Sequence, residues 1–184
     1  MLVKIKNYVD NWQSVKDSCM TTIGKTTGKY PNDIWKKKML LCEHSPIRKL
    51  KFNWRWEQIK YWVSVHFVRH KVGIEHWIST QRSDRTGVER DEIGQGALVN
   101  HECEADAQAL ITMGRKRLCK MASPETRQAM IALKGEIALV DEVIAKAIVP
   151  ECIYRGYCYE YNTCGWYKTD EYKKQLEEYR KDIR

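Results

Sequence analysis

The segment Arg69-His70-Lys71-Val72-Gly73-Ile74-Glu75-His76-Trp77-Ile78-Ser79-Thr80-Gln81-Arg82 concentrates residue types that bind and polarise anions. It holds two arginines, a lysine, two histidines, a serine and a threonine. An apolar-rich run from Tyr61 to Val68 leads into it, the pattern of a buried element opening onto a polar, cationic site. An anion is the natural ligand of such a site. Phosphate is the first candidate, because guanidinium groups grip it bidentately. The alternative is a solvated, charged loop following a core helix, in a chain that is basic throughout.

Other residues with chemical potential are scattered. Arg115-Lys116-Arg117 forms a second basic cluster. Positions 115 and 117 of a helix point in different directions, so one can face solvent or a neighbouring subunit while the other faces a pocket. Cys152, Cys158 and Cys164 are evenly spaced, but they lack the Cys-x-x-Cys pairing of structural zinc sites. A metal there would need a fourth ligand such as Cys119 or Cys103, and small buried thiols are the simpler reading; no metal ligand is assigned. His44, before Ser45-Pro46, reads by itself as a structural histidine. The chain has no Gly-x-Gly-x-x-Gly or Walker-type loop and no Gly-x-Ser-x-Gly elbow.

The 184 residues suit one compact domain over 1–184. Thirty-two basic against 24 acidic side chains give a net charge of +8. That balance favours anionic partners, nucleic acid or small phosphorylated ligands according to whether the charge forms a stripe or converges in a pocket. No apolar run is long enough to cross a bilayer and the N-terminus lacks a signal-peptide core, so a cytoplasmic protein is expected. Seven cysteines, an odd number, argue against a disulfide framework.

Hydrophobic spacing supplies the elements that would position these residues. Residues 1–8 alternate as a first strand, and Asp10 precedes a helix with Trp12, Val15, Cys19 and Ile23 on one face. Residues 24–32 read as loop and 33–42 as a second helix. The clearest strand is Leu50 to Glu57, with strict alternation. Ile59 to Val68 reads as helix, 77–83 as weak strand, and 84–99 as mostly loop. Ala105 to Met121 reads as helix. A long helix then begins at Ser123-Pro124 and keeps its spacing to Val149, where Pro150 stops it. From about 167 a charged, frayed tail is expected.

Taken together, these residues resemble the flavin-dependent thymidylate synthases (the ThyX family), whose signature is Arg-His-Arg-x-x-Ser-x-Asn-Glu-x-Ser-x-Arg. Arg69-His70 matches, Lys71 replaces the second Arg, and Ser79 falls on the second Ser. Ile74, His76 and Trp77 stand where Ser, Asn and Glu are expected, and Arg82 matches the closing Arg after a one-residue insertion. Glu43-His44 resembles the family's Glu-His pair ahead of the strand, and His66 stands where Gln is usual. Arg90, Asp106-Ala107-Gln108, Thr112, Arg117 and Ala122-Ser123-Pro124-Glu125 keep the later spacing with changed letters. Pro150-x-Cys152, Gly156-x-Cys158 and Cys164-Gly165 resemble the ending of many members. The likeness is collinear from residue 1 to about 166.

The resemblance implies an α+β fold, a central antiparallel sheet flanked by helices, associating as a homotetramer with sites between subunits. It implies methylation of dUMP to dTMP, with carbon from methylenetetrahydrofolate, hydride from reduced FAD, and NADPH as reductant. By similarity Arg117 polarises the uracil ring. His66, Arg69, Ser79, Thr80, Gln81, Arg82, Arg90 and Arg117 meet dUMP. His44, Arg69, His70, Lys71, Asp106, Gln108 and Thr112 meet FAD. Trp77 in place of the family's carboxylate, unless Glu75 or His76 substitutes, and Asp106-Ala107-Gln108 without the expected arginine leave two alternatives. One is a different pyrimidine nucleotide or a hydroxymethylated product; the other is a non-catalytic nucleic-acid binder on the same fold.

Overall fold

The computed structural model describes residues 1–26 and 28–181. Its centre is an antiparallel sheet of β1 (Leu2–Tyr8), β2 (Lys51–Lys60), β3 (Ile74–Ile78) and β4 (Leu98–Asp106), in the order β1-β2-β4-β3. Alternation sends Phe52, Trp54 and Trp56 of β2 to one face, where all three are fully buried. The other face is polar and carries cross-strand ion pairs, Lys4 with Glu57 and Arg55 with Glu102.

Helices cover the apolar face: α1 (Trp12–Thr21), α2 (Asp33–Leu41), α3 (Tyr61–Phe67), α5 (Ala107–Arg117) and α6 (Pro124–Val140) all contribute to the core around the tryptophans. The short helices α4 (Ser83–Thr86), α7 (Glu142–Ala147) and α8 (Glu151–Arg155), then α9 (Asp170–Arg180), complete the order. The Trp56 indole N–H donates to the Ala129 carbonyl at 3.1 Å, locking α6 onto the sheet. Ser123 caps α6 and Pro124 begins it, as the sequence suggests.

Several elements differ from the sequence reading. The strand of β2 runs on through Lys60, so α3 begins two residues later than Ile59. The extension includes a register shift between Trp56 and Ile59, where Gln58 takes a left-handed φ of 55°. β3 lies at 74–78 rather than 77–83, and the helix expected from 105 starts at Ala107. β4 replaces loop and unassigned chain and sits in the interior of the sheet. The long helix ends at Val140, where Asp141 leaves helical geometry and caps α7 through Ile144 N–H. Its Oδ2 also accepts hydrogen bonds from Tyr8 at 2.5 Å and the Trp12 indole at 2.7 Å, so one carboxylate ties β1, α1 and the α6–α7 junction together. The expected frayed tail is instead α9, which buries Tyr172 against Val149, Ile153 and Trp166; residues 182–184 of that tail lie outside the described residues, as does position 27 of the 24–32 loop.

Candidate functional site

Helix α3 anchors the basic segment. Its last residue, Phe67, stacks on Trp56 with ring centroids 4.4 Å apart, and the chain then leaves the core. Arg69 and Lys71 are exposed while His70 between them turns inward. The segment is fastened to the sheet at Gly73, whose carbonyl accepts from Asp106 N–H at 3.0 Å. Glycine is required there twice over. Its φ is +72°, and a Cβ would lie 2.7 Å from Asp106 Oδ2.

Arg117, in the last turn of α5, meets this segment. Its Nε donates to His70 Nε2 at 3.0 Å and its Nη2 to the His66 carbonyl at 2.6 Å. Burial, and then the Arg117 charge, push His70 down to about 4, so it is a neutral acceptor at pH 7. His66 is lowered by the same causes in the same order. Its Nδ1 lies 2.8 Å from Thr126 Oγ1, which also accepts from Ser123. Arg117 itself is lowered by burial and then by Arg69. Among the described residues no carboxylate is hydrogen-bonded to or ion-paired with Arg69, Lys71 or Arg117. The result is a group of cations around neutral imidazoles at a helix C-terminus, without an acid to balance it. Such a cluster draws in an anion.

Two residues away, Arg115 is held by other side chains, although its buried Nε has no hydrogen-bond partner among the described residues. It pairs with Glu43, and its guanidinium carbon lies 3.5 Å over the Tyr154 ring. Glu43 also accepts from Gln108 at 2.5 Å. His44 is exposed beside this group. Asp106 is a buried cap of α5 that accepts from Ala109 N–H, with Lys51 at 3.6 Å, and Thr112 donates to its own helix at Gln108 O.

The remaining residues of the basic segment lie elsewhere. Ser79 pairs with the backbone of Asn100, Thr80 accepts from Arg82 N–H, Gln81 is half-buried, and Arg82 grips Asp84 through two contacts of 2.9 and 2.8 Å. Arg90 is exposed in the following loop. In register, Ile74 faces Ala105 and Ile78 faces His101, so the 69–73 and 79–90 segments leave opposite ends of β3. Five residues at about 3.3 Å each separate those ends by roughly 16 Å. One chain therefore joins Arg69, His70, His66 and Arg117, and leaves Arg82 and Arg90 apart from them.

Sequence reasoning missed His101 and named Cys103 only as a possible fourth ligand for the C-terminal cysteines; both lie instead beside His76 under this segment. Their signal was the period-two run Val99-x-His101-x-Cys103-x-Ala105. His76 Nε2 donates to the His70 carbonyl at 2.8 Å. A separate cavity of about 500 Å³ between α2, α7 and α9 is lined by charges of both signs, Lys36, Lys37 and Lys134 against Asp33, Asp141 and Glu142. Those charges offset one another, and the cavity does not include the basic segment. Among the described residues no helix is long and apolar enough to cross a membrane.

No family model and no curated protein matches the sequence. Solved structures do match the fold. A flavin-dependent thymidylate synthase ThyX from Helicobacter pylori, complexed with FAD and dUMP, superposes with a TM-score of 0.66 at 10% identity, over 81% of this chain and 100% of that one. A second structure of ThyX from H. pylori with FAD and dUMP gives 0.61 at 12%, covering 78% and 99%. A UMP/dUMP methylase, PolB from Streptomyces cacaoi, bound with 5-Br dUMP, gives 0.65 at 9%, covering 79% and 93%. The likeness is one of fold.

Proposed function

We propose that this chain, folded like the flavin-dependent thymidylate synthases, is a nucleotide-binding flavoenzyme that methylates dUMP at C5. The observation that carries the reading is the uncompensated cation cluster of Arg69, Lys71 and Arg117 around neutral His70. It lies on the stretch that resembles the family signature, in a fold whose solved examples include proteins complexed with dUMP and FAD.

The residues suit a flavin and a nucleotide together. The exposed cations Arg69 and Lys71, without acidic partners among the described residues, fit phosphate groups. His70 lies at the C-terminal end of α5 beside Arg117, and His44 is exposed next to Glu43, which holds Gln108 in the first turn; Asp106 and Thr112 are engaged in their own helix. Reduced FAD would supply the hydride, methylenetetrahydrofolate the carbon and NADPH the reducing equivalents.

Arg117 has the central part. His70 and the His66 carbonyl hold its guanidinium in a half-buried setting, where a fixed cation acts more strongly than in water. Placed at a pyrimidine carbonyl, it stabilises the enolate-like charge that develops as C5 becomes nucleophilic. His70 stays neutral, so it orients Arg117 without competing for the anion. His66 and Arg69 complete the nucleotide side. Ser79, Thr80, Gln81, Arg82 and Arg90, at the far end of β3, reach the same nucleotide only from another copy of the chain. A homotetramer with shared sites supplies that arrangement.

The test uses the purified wild-type protein. FAD retained or bound, flavin fluorescence that responds to dUMP more than to UMP, and tritium release from 5-tritiated dUMP with dTMP as product support the reading. A 5-hydroxymethyl product or a preference for UMP would replace the reaction while keeping the site. Failure to bind flavin, with steeply salt-dependent DNA binding and no preference for dUMP, would overturn it in favour of a nucleic-acid binder.

A further inference from the structure

Beneath the basic segment, three potential metal ligands converge from two strands. His76 on β3 faces Cys103 on β4 directly, and His101 projects from the same face of β4 two residues away. His76 Nδ1 and His101 Nε2 are 3.0 Å apart, and Cys103 Sγ is 3.2 Å from each. His101 and Cys103 are fully buried, with the Trp56 ring 5.4 Å from that of His101.

We propose that His76, His101 and Cys103 form a binding site for a zinc ion. Three observations carry this. The first is spacing. Around a tetrahedral zinc, nitrogens sit about 3.3 Å apart and a nitrogen and a sulfur about 3.5 Å. The observed separations are a few tenths of an ångström shorter, so a small outward movement of three side chains admits the ion.

The second is tautomer. His76 Nε2 donates to the His70 carbonyl at 2.8 Å, which leaves the Nδ1 lone pair pointing at the other two groups. Without metal, the His101 N–H and the Cys103 S–H are directed at that single lone pair, or two imidazole lone pairs face one weak thiol donor. With metal, all three groups have a partner. His101 Nδ1 lacks a partner among the described residues, and it carries the ring proton when Nε2 ligates.

The third is donor chemistry. Two imidazoles and a thiol form a nitrogen–sulfur set that suits zinc and not the hard cations. The zinc–sulfur bond forms as the S–H proton leaves to solvent, and affinity rises with pH. Three protein ligands leave the fourth position for a water-derived ligand. The ion would pin edge strand β3 to β4. Through His76 it would also fix the carbonyl of His70, whose ring receives Arg117. The proposal stands apart from the nucleotide chemistry and survives its failure.

Metal content by mass spectrometry, on wild-type protein equilibrated with micromolar zinc and desalted, should give about one zinc per chain. The chelated protein reconstituted with cobalt(II) should show thiolate-to-cobalt charge transfer and intense visible bands of a tetrahedral site. Cys103→Ala should abolish the charge-transfer band and lower metal content at least about tenfold. His76→Gln should weaken binding, whereas Cys158→Ser, in the separate thiol-lined cavity of Cys119, Cys152, Cys158 and Cys164, should leave it unchanged. Wild-type protein that holds no zinc and gives no cobalt bands overturns the proposal without any variant. So does metal that persists in folded Cys103→Ala and disappears in Cys158→Ser, which would assign it to the cysteine cavity.

Discussion

Arg115 and Arg117 belong to the same turn of the same helix, yet their surroundings are opposites. Arg115 has a carboxylate in Glu43, an aromatic face in Tyr154 and a second anchor in Gln108, which shares that carboxylate. Arg117 has a neutral imidazole and a backbone carbonyl, with a further cation, Arg69, as its electrostatic neighbour. In the first arrangement the charge is answered by a carboxylate. The second satisfies geometry while leaving the charge unanswered, which is a poor way to stabilise a fold and a good way to hold a ligand-binding cation in place. Under the proposed function, that difference separates the structural Arg115 from the ligand-binding Arg117.

The largest effect should come from exchanging the two roles. Under the proposed function, Arg117→Ala should lower turnover of dUMP by about 10²–10³, the magnitude of removing one preorganised donor from a developing anion. It should leave thermal stability nearly unchanged, since no ion pair is broken. Arg115→Ala should do the reverse, costing about 2–3 kcal/mol of stability by stranding partly buried Glu43, with a small change in turnover. Denaturant unfolding and tritium release on the two variants decide the matter. Full turnover in Arg117→Ala sinks its assignment, and an unchanged unfolding midpoint in Arg115→Ala sinks the contrast.

Gly73 supports only the Arg117 side. Gly73→Ala should cost about 2 kcal/mol, combining a left-handed backbone with a Cβ pressed on Asp106. Because Gly73 fastens the segment carrying Arg69 and Lys71, nucleotide affinity should also fall, by about tenfold. Loss of stability with unchanged affinity would show that the cations do not need this anchor.

Much of this frame was legible in the sequence. The alternation of Leu50 to Glu57 marks β2, because its inward residues are large and aromatic and its outward ones charged. Ser123-Pro124 marks the start of α6. β4 was illegible for a physical reason. Its inward positions include His101, Cys103 and Ala105, and its outward ones Glu102 and Glu104, so the period-two signal rests on small or polar inward residues and is weak even though burial alternates. The break at Asp141 depends on hydrogen bonds from Tyr8 and Trp12, more than 120 residues earlier. The site was half legible. Arg69-His70 stands out by residue type, whereas Arg117 is singled out only by the family resemblance. Nothing local distinguishes Arg117 from Arg115, because the decisive partner, Glu43, is 72 residues from Arg115. Arg82 and Arg90 stand near Arg69 in sequence, but β3 carries the chain away between them.

The most local effect should be seen in the titration of His70. Burial first and the Arg117 charge second hold it at about 4, below its ordinary 6.5. In the unfolded chain the ring binds a proton near pH 6.5; in the folded chain it does so only near 4. Between those values the unfolded state holds more protons, so stability rises with pH across the window. The contribution is complete above about 6.5 and is lost as pH falls through about 4. Proton NMR of the His70 ring should show this low titration in the wild type. In Arg117→Ala the midpoint should move only part of the way back, because burial is the larger cause and persists. A ring titrating at its ordinary value in the wild type would mean that Arg117 does not donate to it. Arg117 would then lose the partner that orients it, and the distinction from Arg115 would rest on Glu43 alone.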